Sequence, residues 1–203
     1  MISTVNFDST DVTASRPTWT ACIVKRRVHI TFFVAVIVVI WSLVAGVQPH
    51  DLTNVRDIQS WAGAFLVIAG LAIRSWAAGT LHKHAELTTV GPYSLVRNPL
   101  YIGSMMMIVG FFILLGQSGF VWLFAGAFSL IFLAAVKDEE RMLAAQYGAA
   151  WTAYAASTPR FIPRRLIATT GKWSLRQWRR NREYQAVAAT ALGLLGLQLW
   201  QQI

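Results

Sequence analysis

The chain has 203 residues, of which 55% are hydrophobic and only 13% are charged. Soluble domains average roughly 25% charged residues, so this composition excludes an ordinary soluble domain and a disordered chain, and the single cysteine excludes a disulfide scaffold. The net charge of +9 comes without a nucleic-acid-binding motif, which leaves a membrane protein as the expected class and no nucleic acid as a partner.

The N-terminal half predicts a tail and two membrane spans. Residues 1–24 are polar and rich in Ser and Thr, which predicts a mobile tail. A basic triplet then precedes an apolar stretch over 28–47. About 20 apolar residues at 1.5 Å each cross a 30 Å hydrocarbon core, so this stretch is the first predicted transmembrane helix. A polar loop leads to a second predicted span over 60–81, which carries one charge, Arg74.

Three further apolar stretches follow. The third predicted span covers 99–115, with Pro99 in its first turn, and a tight hairpin joins it to a fourth over 120–136. The last stretch, 184–203, contains Thr and Gln and is predicted either to cross the membrane or to pack on the surface as a helix. The predicted fold class is therefore all-α, a multi-pass transmembrane helical bundle of four or five spans.

Basic residues orient this predicted bundle. If the N-terminus is cytoplasmic, Arg56 is the one Lys or Arg residue in the predicted segments on the outer side of the membrane. Apart from Arg74 within a span, the other Lys and Arg residues then lie on the cytoplasmic side, as is typical of membrane proteins. The N-terminus is therefore predicted to be cytoplasmic. The polar segments 82–98 and 137–183 then share the cytosolic face, where we expect a cofactor pocket. Beyond a membrane domain over 25–163, residues 164–203 are predicted to form a basic interfacial segment and the fifth span.

The densest motif is GPYSLVRNPLYIG, which runs from Gly91 to Gly103. Its Gly-Pro and Asn-Pro pairs predict turns that hold Tyr93 and Arg97 between two fixed corners. On its own, the motif is explained equally well by a compact loop that enters a helix. The helix N-terminus beside Arg97 also suits a carboxylate or a phosphate.

A second motif, KDEER, follows the fourth predicted span. Three consecutive acids at the C-terminal end of a helix are not explained by the helix dipole, which favours cations there. A solvated charged turn is the simpler interpretation, but a cation bound in a cleft accounts better for the acids. Apolar residues at helical spacing then predict an amphipathic helix on the membrane surface: Leu143, Tyr147, Trp151 and Tyr154.

The two motifs in this order, with a helical hairpin between them, resemble the isoprenylcysteine carboxyl methyltransferase and phospholipid methyltransferase superfamily. The resemblance covers residues 60–163 and includes DEERMLAAQYGAAWTAYAASTPRFIPR. It implies methyl transfer from S-adenosylmethionine to a thiol, carboxyl or amine of an apolar or lipid-like acceptor at the cytosolic membrane face. The cofactor-binding residues that it implies are Leu87, Thr88, Gly91, Tyr93, Arg97, Asn98, Pro99, Leu100, Tyr101, Glu139 and Glu140.

One position departs from the family pattern, because Asn98 stands where the family usually has a histidine. Asparagine donates and accepts hydrogen bonds but is not a base near neutral pH, so the sequence names no catalytic residue. The resemblance and the charges imply roles for several of the cofactor-binding residues. Glu139 and Glu140 would bind the cofactor's ammonium or ribose, and Tyr93 and Tyr101 would contact it with their rings. Arg97 would bind the cofactor's carboxylate.

Other features leave alternatives open. Arg74 and Arg160 are predicted substrate contacts, although Arg74 is explained equally well as a residue that snorkels to the interface. The basic aromatic segment 173–178 predicts contact with anionic lipid. Besides the methyltransferase, a membrane reductase and a non-catalytic accessory protein of a metal-resistance or transport system stay open. One cysteine and four scattered histidines predict no metal site.

Overall fold

The structure is a computed structural model, and the prediction of a mobile tail over 1–24 lies outside the residues that it describes. The start of the first predicted span and the hairpin at 117–120 lie outside them as well. The described residues are 33–34, 36–54, 56–82, 86–116 and 121–202.

All regular secondary structure in this part of the chain is helical, so the all-α prediction is confirmed. Helix α1 includes residues 36–44. A short 3-10 turn at Pro92–Ser94 lies between α2 and α3. The remaining helices are α2 (Ile58–Thr80), α3 (Pro99–Leu114), α4 (Val121–Tyr147), α5 (Ala149–Ser157), α6 (Leu175–Arg180) and α7 (Glu183–Gln201).

Helix α2 is the one helix of the described residues that is long and apolar enough to cross a membrane. Its 23 residues reach about 35 Å at 1.5 Å per residue. Helix α3 is also apolar but has 16 residues, which reach about 24 Å. The number of spans and the side on which the N-terminus lies stay predictions.

Helices α2 and α3 form the closest helix pair, and glycines allow their backbones to meet. A Cβ atom on Gly70 would lie 2.6 Å from the carbonyl oxygen of Gly103. Further along the pair, a Cβ atom on Gly110 would lie 2.7 Å from the carbonyl oxygen of Gly63. Small residues at such contacts are typical of helix pairs inside membranes, where close backbone packing replaces the hydrophobic effect.

An apolar core lies at the end of α3 that is remote from the GPYSLVRN loop. The loop before α2 closes this end, because the His50 backbone amide donates to the carbonyl oxygen of Leu114 at 2.8 Å. Asp57 caps α2 by accepting from the amides of Gln59 and Ser60. The buried members of this core are Val38, Val67, Phe112, Leu114, Leu115, Phe128 and Leu197.

The fourth predicted span, 120–136, lies in a longer helix, because α4 continues to Tyr147. The three acids therefore lie within a helix and not in a solvated turn. The predicted continuous amphipathic helix over 143–154 is also wrong, because Gly148 separates α4 from α5. Its φ of 49° is a conformation that glycine adopts without steric cost, and it ends the regular helix between Tyr147 and Ala149.

The segment after α5 folds back over the loop before α3 and the end of α2. The Arg97 amide donates to the carbonyl oxygen of Pro159 at 2.8 Å, and the Gly91 amide donates to that of Thr169 at 3.0 Å. The indole of Trp173 covers Gly79 and donates to the carbonyl oxygen of Ser75 at 3.1 Å. The basic aromatic segment 173–178 is thus attached to α2, and its contact with lipid stays a prediction.

Candidate functional site

The two sequence motifs meet where the start of α3 lies beside the last turns of α4. The Tyr101 hydroxyl donates to Glu139 Oε2 at 2.9 Å, and Asn98 Nδ2 donates to Glu140 Oε1 at 3.0 Å. These hydrogen bonds join residues 38 and 42 positions apart in the chain. The helical extension of α4 beyond residue 136 makes this possible, because it carries both acids alongside α3.

Glu140 is buried and lies at the centre of an ion cluster. Arg160 donates to both of its oxygens, with Nε 3.1 Å from Oε1 and Nη2 2.6 Å from Oε2. Arg97 Nε lies 3.5 Å from Oε1. Burial by itself raises the pKa of Glu140, but the hydrogen bonds from Arg160 and Asn98 and the charge of Arg97 outweigh it, so the pKa is lowered overall. Glu140 is therefore an anion that its neighbours already bind.

The predicted cofactor ligand Arg97 is held by protein groups on two sides. Its guanidinium carbon lies 5.8 Å from the centre of the Trp151 ring, and its Nε faces Glu140. Trp151 belongs to α5 and is buried. The structure therefore places Arg97 in the contact between α5 and the loop before α3. The role predicted for it, binding of a cofactor carboxylate, stays a prediction.

Tyr93 carries a buried hydroxyl group that lacks a hydrogen-bond partner among the described residues. Its backbone carbonyl accepts from the hydroxyl of Tyr154 at 2.7 Å, which fixes the loop against α5. Burial raises the pKa of the Tyr93 hydroxyl, and the nearby carboxylate of Glu139 raises it further. This group therefore stays protonated and can donate to a bound ligand.

A cavity of about 720 Å³ lies along one face of α3, from Leu100 to Leu115. That stretch corresponds to about 22 Å of helix, most of the thickness of a hydrocarbon core. Side chains of α1, α4 and α7 form much of the remaining wall, which is mainly apolar. Polar groups gather where Leu100 lies: Arg74, Tyr101, Ser104, Glu139, Asn181 and Glu183.

The predicted cofactor residues divide among different surroundings. Leu100, Tyr101 and Glu139 line the large cavity. Leu87 and Thr88 line a separate cavity of about 400 Å³, in which the Thr88 hydroxyl accepts from the amide of His82 at 3.2 Å. The remaining predicted residues line neither of these two cavities: Gly91, Tyr93, Arg97, Asn98, Pro99 and Glu140.

Arg74 pairs with a carboxylate that the sequence analysis did not single out. Its Nε and Nη2 atoms donate to the two oxygens of Glu183 at 2.9 and 3.0 Å, and its Nη1 contacts the hydroxyl of Ser104. Glu183 is 3% exposed. The charge within a predicted span was a signal for such a partner, since ionisable residues in membranes pair with one another. Arg160 binds Glu140, and the predicted substrate contacts of Arg74 and Arg160 stay predictions.

Residues 58–150 match the model of the family described as phospholipid methyltransferase. These residues belong to that family. The matched region includes both motifs and the helices from α2 to α4, which agrees with the resemblance found in the sequence. Helices α6 and α7 lie outside it. Family membership and the apolar helix α2 together indicate a membrane protein.

Two similar proteins carry names from metal resistance. The chain is 33% identical over 140 residues to the cobalt-zinc-cadmium resistance protein CzcN of Cupriavidus metallidurans, a match that covers 68% of this chain and 62% of the relative. It is 32% identical over 133 residues to the nickel-cobalt-cadmium resistance protein NccN of Alcaligenes xylosoxydans xylosoxydans, with 64% and 62% covered. The chain thus spans 62% of the length of each curated relative. No solved structure matches it significantly.

Proposed function

We propose that this protein transfers a methyl group from S-adenosylmethionine to an apolar or lipid-like acceptor at the cytosolic face of a membrane. The observation that carries the proposal is the meeting of the two motifs through Tyr101 and Glu139 at the polar end of a long apolar cavity. The family of residues 58–150 supports the same chemistry. An apolar acceptor enters such a cavity from the bilayer.

The groups at the polar end fit a cationic cofactor. S-adenosylmethionine supplies an activated methyl group on a positively charged sulfur. Glu139 presents a half-buried carboxylate to the cavity, and among the described residues Tyr101 alone donates to it. The Tyr93 hydroxyl lines neither cavity, but it is near enough to Glu139 for that carboxylate to raise its pKa, and it is a buried donor without a partner among the described residues. Glu139 and Tyr101 would hold the ammonium or ribose of the cofactor, and Tyr93 would donate to one of its oxygens.

Asn98 takes no part in proton transfer in this proposal. Its side-chain amide donates to Glu140 and lies 3.5 Å from the carbonyl oxygen of Arg160, so it connects α3 to α4 and the segment after α5. The protein's contribution is therefore positioning: it holds the acceptor atom about 3–3.5 Å from the methyl carbon and keeps water away from both. A thiol, a carboxyl group or an amine remains open as the acceptor group.

Binding of S-adenosylhomocysteine to the purified full-length protein tests the proposal. We expect calorimetry to show micromolar binding, and Glu139→Gln to weaken it about tenfold or more, since a hydrogen bond to a charged group contributes about 1.5–3 kcal/mol. Tyr101→Phe removes one donor, and Tyr184→Phe on the exposed side of α7 serves as the matched control with unchanged affinity. Absence of binding by folded wild-type protein would contradict methyl transfer.

A second candidate function is a non-catalytic accessory role in metal resistance. The names of the two relatives favour it. In this role the protein would act through a partner and would not transfer a methyl group. Metal tolerance of cells that depend on this protein separates the two candidates. Tolerance that survives Glu139→Gln while S-adenosylhomocysteine binding is lost supports the accessory role.

A further inference from the structure

Helix α7 supplies one wall of the large cavity, although it lies outside the region that matches the family. Ala186, Gly193 and Leu197 line the cavity. Their spacing of seven and four residues places them on one face of the helix. The same face begins at Glu183, at the polar end. The long axis of the cavity is therefore bounded by α3 on one side and by α7 on another.

The start of α7 is fixed to α2 by polar contacts. Glu183 forms the two-pronged ion pair with Arg74, and Asn181 donates to the carbonyl oxygens of Ala78 and Leu81 at 2.7 and 3.0 Å. Asn181 thus satisfies carbonyl groups at the C-terminal end of α2. Because Glu183 is buried, removal of either partner leaves an uncompensated charge. The wall is consequently held at a fixed distance from the polar end of the cavity.

Gly193 and Phe111 both line the cavity and approach each other closely. A Cβ atom on Gly193 would lie 3.1 Å from both Cε1 and Cζ of the Phe111 ring. A larger side chain at this position therefore enters the cavity or pushes the ring into it. Gly196, almost one turn further along the same helix, has no atom within 4 Å of the same hypothetical Cβ and is exposed. The two glycines form a natural pair for comparison.

We propose that α7 determines which acceptors the site takes, with the close approach of Gly193 and Phe111 limiting the length of a hydrocarbon chain that lies along α3. This proposal rests on the methyl transfer proposed above. The head of the acceptor lies at the polar end beside Arg74 and Glu183. The charged groups lining that end are Arg74, Glu139 and Glu183. Arg74 and Glu183 pair with each other, and Glu139 would hold the cofactor, so none of these three groups is a free cation for a carboxylate head. An amine or neutral head therefore fits better than a carboxylate.

Competition among n-alkylamines tests the wall directly. Radiolabelled hexadecylamine is bound to the full-length protein in bicelles and displaced by amines from octylamine to octadecylamine. We expect Gly193→Leu to move the preferred chain length downward, with about tenfold weaker binding of the longest amines, since methylenes added to a packed site occupy space that the ligand would need. Gly196→Leu should keep the wild-type profile. Leu197→Ala enlarges the far end and should move the preference toward longer chains.

Calorimetry with S-adenosylhomocysteine on the same preparations separates the two proposals. Cofactor binding without alkylamine binding, or identical chain-length profiles for Gly193→Leu and Gly196→Leu, overturns the role of α7 and leaves methyl transfer intact. If the expected chain-length shifts occur without cofactor binding, they support the role of α7 in limiting chain length and overturn methyl transfer. If Gly193→Leu fails to fold, Gly193→Ala and Leu197→Ala take its place, and unchanged profiles for both overturn the proposal.

Discussion

At the scale of single residues, Glu139 and Glu140 are sequence neighbours with separate tasks. Successive residues of a helix point about 100° apart, so one carboxylate faces the cavity while the other turns toward the loop before α3. Glu139 is half-buried and accepts a hydrogen bond from Tyr101. Glu140 is 8% exposed, accepts hydrogen bonds from Arg160 and Asn98, and forms an ion pair with Arg97. The pair predicted to hold the cofactor therefore divides into an acid that faces the cavity and an acid that pairs with protein groups.

This division predicts that two isosteric substitutions affect different properties, one the stability of the protein and the other its binding of S-adenosylhomocysteine. We expect Glu140→Gln to lower the free energy of unfolding by about 1–3 kcal/mol, because Arg97 and Arg160 lose their carboxylate; the partial exposure of Arg160 keeps the loss below that of a fully buried pair. Glu139→Gln should leave stability nearly unchanged and weaken S-adenosylhomocysteine binding. Thermal unfolding of the detergent-purified variants measures the first effect, and equal destabilisation by both would contradict the division.

The lowered pKa of Glu140 predicts that the contribution of its carboxylate to the stability of the protein depends on pH. Its stabilising effect is fully present above the pKa of an unfolded glutamate, near 4.3, and is lost as the pH falls through the lower pKa of the folded state. We expect the difference in unfolding temperature between wild-type protein and Glu140→Gln to be constant from pH 7 to about pH 5 and to shrink below about pH 4. A difference that grows on acidification would exclude this assignment.

At the scale of helices, the contact between α2 and α3 determines where the polar end of the cavity forms. The close pairs Gly70–Gly103 and Gly63–Gly110 bring the backbones together on the side of α3 that faces α2. The remaining faces of α3 are free to line the cavity and to present Tyr101 to α4. Ser104, one turn after Leu100, reaches Arg74 across the same contact.

A substitution at this contact should separate the helices. A Cβ atom on Gly103 would lie 2.5 Å from the carbonyl oxygen of Gly70, and a backbone atom cannot move aside as a flexible side chain can. We expect Gly103→Ala to lower the free energy of unfolding by about 1–3 kcal/mol. Gly126→Ala on α4 is the matched control, because its Cβ meets no atom within 4 Å. There the change should be neutral or stabilising by up to about 1 kcal/mol, as measured by denaturant unfolding.

At the scale of the whole molecule, the C-terminal segment completes a cavity that the family-matched region leaves open. Residues 58–150 contain both motifs, but the wall formed by α7 and the partner of Arg74 come from beyond them. The segment between α5 and α6 attaches to the loop before α3 through Pro159 and Thr169. If α7 selects the acceptor as proposed, a relative with a different C-terminal segment would keep the motif contacts and take other acceptors.

The sequence by itself determined the helical class, the two motifs and their family, because apolar runs, Gly-Pro and Asn-Pro turns and short motifs are properties of local segments. The sequence did not show how far α4 extends beyond the fourth predicted span, since hydropathy marks the edge of an apolar run and not the end of a helix whose charged last turns pack against a neighbour. Only the tertiary structure decided that Glu139, and not Glu140, faces the cavity. Only it paired Arg74 with Glu183, 109 positions away, because an ion pair between two helices depends on how both are packed and on which faces they present to each other.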